Sequence, residues 1–170
     1  MSQESEVTRK SAERLSDEDA IEKMRSFELA LLSASNSFNR WVVSCAQATG
    51  ETGMASVDLL ILKMVSRETR PKRASEIAFA LNIDDVHLVT YSIKKLIRMG
   101  FIETKKHGKE SHFQATASGG ELLVRYDQIR LACLIEPMTL GSDIDVPLMT
   151  GRLRAISGIY EQAARAATAL

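Results

Sequence analysis

Ten lysines and arginines fall between Arg67 and His112, at positions 67, 70, 72, 73, 94, 95, 98, 105, 106 and 109. Six acids share that window, at 68, 76, 84, 85, 103 and 110, so its net charge is +4. The chain as a whole balances 22 basic against 22 acidic residues, and everything outside the window therefore sums to −4. A neutral chain that gathers its positive charge on one stretch has an anion-facing surface there. Other chemistries lack their residues. The three histidines, His87, His107 and His112, are not spaced with cysteines or acids as metal ligands. Asp143 and Asp145 are too few for calcium. No glycine-rich phosphate loop, nucleophile elbow or Cys/His pairing occurs. The expectation is therefore no catalysis, no metal and no cofactor.

The positive residues are placed by a helix predicted over 84–99. At roughly 100° per residue, Val89, Ser92, Ile93 and Leu96 fall on one side. His87, Tyr91, Lys94 and Arg98 fall opposite, flanked by Thr90 and Lys95. No acid follows Asp85 on this outer face, whereas a solvated helix face usually mixes signs. In a DNA-reading helix the N-terminal half meets base edges and the C-terminal half lies nearer phosphate. That rule makes His87, Thr90, Tyr91 and Lys94 the candidate base readers and Lys95 and Arg98 the candidate phosphate ligands.

Two short β-compatible runs follow, Phe101–Lys105 and Glu110–Ala115, around a basic tip at Lys106-His107-Gly108-Lys109. Lys105, Lys106, His107 and Lys109 are candidates for phosphate or minor-groove contact. The plainer reading of these lysines is that charge at a strand edge blocks aggregation. Upstream, Arg70, Lys72, Arg73 and Ser75 precede or open a short helix whose inner face is Ile77, Ala78 and Leu81, and they add further phosphate candidates. The order is helix, turn at Asn82-Ile83-Asp84, helix, hairpin, which is that of a winged helix-turn-helix over residues 53–118.

Residues 1–15 carry no sustained period and are expected to form a disordered tail. Ser16 followed by Asp17-Glu18-Asp19 opens a long helix ending near Gly50, striped by Met24, Phe27, Leu31, Ala34, Phe38, Trp41 and Cys45. The serine-rich Ser33–Ser37 stretch is a candidate kink. Ser56 is expected to cap a helix through Val57–Glu68 that is apolar nearly all round. After the hairpin, Ser118 and Glu121 have capping-box spacing for a helix to about Ile135, with Leu122, Tyr126, Ile129 and Cys133 in one stripe. A loop is expected from Pro137 to Pro147. The last helix carries Met149, Leu153, Ile156, Tyr160, Ala163 and Ala167 at three/four spacing. The helices of 16–50 and 119–170 are not needed to complete a winged helix. Their stripes, with Met24, Phe27, Leu31, Phe38, Met149, Leu153, Ile156 and Tyr160 as anchors, are expected to form a dimerisation region.

Composition agrees with a mainly α fold bearing a small β-hairpin wing. Hydrophobic residues make up 45% of the 170, enough for a core, while aromatics at 5% disfavour a β-sandwich. No apolar run approaches the roughly 20 residues of a membrane span. The polar N-terminus lacks the apolar segment of a secretory signal. Cys45 and Cys133, far apart in helical patterns, indicate a reducing, cytoplasmic setting, with Cys45 a small buried hydrophobe rather than an oxidant sensor.

The residues resemble the MarR family of bacterial transcription regulators. The matching pieces are Ser75-Glu76-Ile77-Ala78…Leu81, Val89…Leu96…Gly100-Phe101-Ile102, and Ala115-Thr116-Ala117-Ser118-Gly119, which is similar to the family's "LTxxG" run. The resemblance spans roughly Asp17 to Leu170. It implies a homodimer joined by its first and last helices, binding double-stranded DNA, with a small-molecule effector of unspecified identity. Two features depart from the family pattern. The wing tip reads His107-Gly108-Lys109-Glu110 with no arginine in the hairpin, and the turn before the reading helix is one residue longer. The arginine-free wing and neutral net charge support an alternative, a winged-helix protein-interaction module without sequence-specific DNA binding.

Overall fold

The computed structural model describes residues 17–170 apart from 68–69, 108–109 and 142–143, the side chains of Asp17 and His107, and the burial of Gly141. The expected tail and the proposed Ser16 cap lie outside the described residues. The elements are helices α1 (Asp17–Ala48), α2 (Ser56–Ser66), α3 (Ala74–Ala80) and α4 (Val86–Arg98), strands β1 (Ile102–His107) and β2 (Glu110–Ala115), and helices α5 (Ala117–Arg130), α6 (Glu136–Gly141) and α7 (Val146–Ala167). A π-helical turn, Leu131–Ile135, joins α5 to α6. The fold is mainly helical with one antiparallel hairpin. The chain divides within α5 into one unit through Tyr126 and another from Asp127.

The first unit holds the buried core. Val42, Cys45 and Ala46 of α1 enter it, as do Leu59, Ile61, Leu62 and Val65 of α2 and Ile77 and Ala78 of α3. Val89, Ile93 and Leu96 of α4, Ile102 of β1, Leu122 and Tyr126 of α5, and Met54 and Phe101 outside these elements complete it. This is the all-round apolar α2 expected of a central helix, with one exception: Asp58 is 1% exposed. Its carboxylate accepts the Ala55 backbone N–H at 2.8 Å, so the acid three residues in closes the N-terminus of α2. The expected Ser56 cap is replaced by this contact, with Ala55 at the N-cap position.

Other helix ends follow or correct the sequence reading. Asp85 caps α4, its Oδ1 accepting the N–H of His87 at 2.8 Å and of Leu88 at 3.4 Å. Asn82, in the turn before it, has φ 53°, a left-handed conformation that asparagine tolerates. Thr116, not Ser118, caps α5: its Oγ1 accepts the Gly119 N–H at 3.1 Å and donates to the Gly100 carbonyl at 2.6 Å. The cap sits two residues earlier because the hairpin delivers Thr116 directly beside Gly100. The serine-rich stretch of α1 does not break the helix, since tertiary and neighbouring propensity outweigh a weak local preference.

The second unit differs most from expectation. Pro137 lies in the first turn of α6, where a loop is expected, and helix persists to Gly141. The preceding π turn widens the backbone where the proline ring would otherwise press on a carbonyl one turn back. Cys133, expected in the stripe of Leu122 and Tyr126, is exposed. Asp145 caps α7, accepting the Leu148 N–H at 2.9 Å. Among the described residues none from Asp127 onward is buried. The outer two thirds of α1 behave likewise, with Met24, Phe27 and Phe38 at 52%, 39% and 50% exposure.

Candidate nucleic-acid interface

α4 is held by the side predicted to be internal. Val89, Ser92, Ile93 and Leu96 are buried, and the helix turns into β1 through Gly100 at φ 79°. The Phe101 N–H donates to the Leu96 carbonyl at 3.0 Å, and the Phe101 carbonyl accepts the Thr116 N–H at 3.0 Å. Those two bonds fix the hairpin against the end of the helix. The outer face is then left to solvent: His87, Tyr91, Lys94 and Arg98 are exposed. Among the described residues, neither Lys94 nor Arg98 is in an ion pair. Thr90 is half-buried, its hydroxyl donating back to the Val86 carbonyl at 2.9 Å, so a ligand would meet its methyl group or an acceptor oxygen rather than a free O–H.

Lys95 does not belong to that outer face. Its ammonium donates to the Gly53 carbonyl at 2.6 Å and pairs with Asp58 at 2.5 Å. Lys72 is a second correction, being only 6% exposed. Its backbone exchanges hydrogen bonds with Phe113, N–H to carbonyl at 2.9 Å and carbonyl from N–H at 2.8 Å. This isolated bridge makes the loop before α3 a third, one-residue strand of the wing. In both cases the lysine sits where a backbone or buried-acid partner draws it inward. A charge count along the sequence cannot separate such lysines from exposed ones.

The remaining cations of this region are exposed but mostly engaged. Arg70 donates to Glu76 Oε1 from both Nη atoms at 3.1 Å. Arg73 lies 3.4 Å from both Glu110 oxygens. Glu76 Oε2 accepts the Arg73 backbone N–H at 2.7 Å, which makes Arg73 the N-cap residue of α3 and leaves Ser75 exposed in its first turn. That backbone bond first, then the Arg70 and Arg73 guanidinium groups, hold the Glu76 carboxyl below the usual carboxylate range. Glu103 is lowered similarly, by the Gln114 amide first and then by Lys105.

β1 and β2 pair from Ile102↔Ala115 to His107↔Glu110, so β1 runs two residues further toward the tip than its sequence run. Lys105 pairs with Glu103 at 3.2 Å, and Lys106 is exposed. The side chain of His107, together with Gly108 and Lys109, lies outside the described residues. Arg70, Pro71, Lys105, Lys106 and His112 line one cleft of about 420 Å³ between the loop and the wing. The hairpin has no arginine of its own, yet Arg70 stands beside its lysines. The sequence places Glu110 and His112 in the wing but does not show that Glu110 pairs with Arg73 or that His112 lines the cleft, and it assigns no part here to Asp58. For Asp58 the signal was a single acid three residues into an otherwise apolar helix.

Residues 54–119 match the family model described as a winged helix DNA-binding domain. No curated protein matches the chain in sequence. Among solved structures the fold is similar to a MarR transcriptional regulator from Methanosarcina mazei, with TM-score 0.60 at 17% identity over 91% of this chain and 97% of that one. It is similar also to the transcriptional regulator BldR from Sulfolobus solfataricus, with TM-score 0.60, 17% identity and coverage of 84% and 97%. MarR from Staphylococcus aureus, solved with salicylate and kanamycin, gives TM-score 0.62 at 14% identity, covering 84% and 93%. The chain thus carries a winged helix DNA-binding domain. The fold of the whole is MarR-like.

Proposed function

We propose that the protein is a transcription regulator that binds a pseudo-palindromic DNA operator as a homodimer, through the reading helix 84–99 and the wing 101–116. The observation that carries this reading is the outer face of α4, where Tyr91, Lys94 and Arg98 stand exposed, the two cations in no ion pair among the described residues, on a helix whose other side is locked into the core. His87, Tyr91 and Lys94, with Thr90, are the proposed base readers. Arg98, Lys106, Arg70 and Arg73 are the proposed phosphate ligands, with Ser75, Lys105, His107 and Lys109 supporting them. Arg70 supplies beside the wing the guanidinium that the hairpin lacks.

The dimer is proposed because Met24, Phe27 and Phe38 of α1 and Met149, Leu153 and Tyr160 of α7 are exposed, with Leu31 and Ile156 half-buried between them, and a second copy is the partner that closed symmetry provides. Half-sites would lie about one helical turn apart. A small-molecule effector is proposed by likeness to the staphylococcal regulator, which was solved with salicylate.

Binding to a duplex selected from a random pool, measured against salt, tests the DNA reading. A slope of log affinity on log salt reflecting several phosphate contacts, roughly 0.9 per contact, is expected. No selected duplex, or a slope near zero, rejects the reading. The second reading, a protein-interaction module, is favoured by one observation: Lys72 and Lys95 turn inward, and Arg70, Arg73 and Lys105 are already paired with acids. A flat salt response would select it.

A further inference from the structure

We propose that Lys95 and Asp58 form a tether that sets the position of the reading helix, so that two inward-facing residues help determine operator affinity and selectivity. This rests on the DNA-binding reading above. The Asp58 side chain is 2% exposed and that of Lys95 23%. One carboxylate oxygen, Asp58 Oδ2, receives both the Lys95 ammonium and the Ala55 N–H, so it ties the C-terminal half of α4 to the N-terminus of α2. The ammonium donates a second bond to the Gly53 carbonyl, 2.6 Å away. Gly53 has φ 78°, a left-handed conformation that a side chain would strain, and this turn aims its carbonyl at Lys95.

Apart from Ser92, the rest of the buried α4 face is Val89, Ile93 and Leu96, apolar side chains whose contacts are non-directional and allow a helix to slide or roll at small cost. An ion pair with fixed acceptors is directional. A buried charge left without its partner is strongly unfavourable, so the pair selects one register of the helix. Lys94 precedes Lys95 and Arg98 follows it by one turn, so any roll about this point displaces both outward cations. Tyr91, one turn earlier, moves with them. Lys95 is in this view a positioning residue that touches no DNA.

Lys95→Met alone would strand the Asp58 charge, so the informative variant is Asp58→Asn with Lys95→Met. It leaves no orphan charge and keeps an oxygen for the Ala55 N–H. A duplex selected by the unaltered protein and a random duplex serve as probes. The double variant is expected to fold and to bind the selected duplex about tenfold more weakly, the order of one weakened base contact. Its affinity for the random duplex should change little, and its salt slope should stay that of the unaltered protein. Amide exchange along α4 should be faster in the free protein. A slope lower by about 0.9 would make Lys95 a phosphate ligand and overturn the proposal. An unchanged ratio between selected and random duplex would overturn it too, leaving Lys95 as packing alone. Should the unaltered protein select no duplex, the DNA reading fails, and exchange decides the tether by itself. Unchanged protection of α4 in the double variant would then overturn it.

Discussion

At the scale of single residues, the exposed cations of α4 and those of the loop before α3 are expected to behave differently. Among the described residues, Lys94 and Arg98 have no acid to leave before meeting DNA. Arg98→Ala should therefore lower the salt slope by about 0.9 with little change in unfolding midpoint, and unchanged binding would reassign that face. Arg70 and Arg73 must first part from Glu76 and Glu110. Glu76→Gln should free Arg70 while Arg73 keeps its Glu110 partner, tightening binding to random duplex at low salt and steepening the slope; a weaker complex would show that Glu76 is needed to orient Arg70. The native Glu76 carboxyl titrates below its ordinary 4.5. Its stabilising contribution is thus complete above that value and disappears as pH falls through the depressed native value. Acid titration of the unfolding midpoint should show this step in the unaltered protein and lose it in Glu76→Gln. Gly119 marks a different kind of constraint. An added Cβ there would press into the Phe101 carbonyl oxygen and lie 3.1 Å from Leu62 Cδ1. Overpacking of this kind costs about 1–3 kcal/mol, so urea unfolding of Gly119→Ala should show a loss of that order.

At the scale of elements, the three/four period of α4 was readable because burial enforces it along a whole face, whereas α1 and α7 carry the same period on faces that are largely exposed. All four expected inner residues of α4 are buried. What could not be read were contacts between residues distant in sequence. Asp58 meets Lys95 across 37 positions, and Lys72 meets Phe113 through backbone alone, which leaves no trace in side-chain type. The Thr116 cap and the helical passage through Pro137 were missed for a related reason. Each depends on where the preceding element ends, and a hairpin or π turn shifts that by a residue or two. The α4 cap is local, and sequence alone narrows it to Asp84 or Asp85, of which Asp85 is the one observed. Asp85→Ala leaves the His87 and Leu88 amides without their acceptor and should destabilise the protein by about 1 kcal/mol in urea unfolding. It should also loosen the base-reading end of α4 more than the phosphate end, so affinity for a selected duplex should fall more than for a random one.

At the scale of the whole molecule, the buried core is made by the winged module with the C-terminal end of α1 and the first half of α5, and most apolar side chains of the rest of α1 and of α7 are exposed among the described residues. Phe27→Glu or Leu153→Glu would place a carboxylate on those faces. Each is expected to convert a dimer to monomer in sedimentation at micromolar concentration and to weaken operator binding with it. A monomeric unaltered protein would refute the assembly. The family likeness was visible from short runs such as Ser75–Leu81 and Ala115–Gly119, because those residues sit at caps and close approaches where few types fit. The lysine count overstated the surface charge of the module, since two of its lysines are structural. Finally, Cys45 is 1% exposed and its thiol donates to the Tyr126 carbonyl at 3.6 Å, whereas Cys133 is exposed. The two thiols therefore form a built-in clock: a thiol-specific dye consumes Cys133 at once, and the slower reaction of Cys45 times how often α1 lifts away from α5.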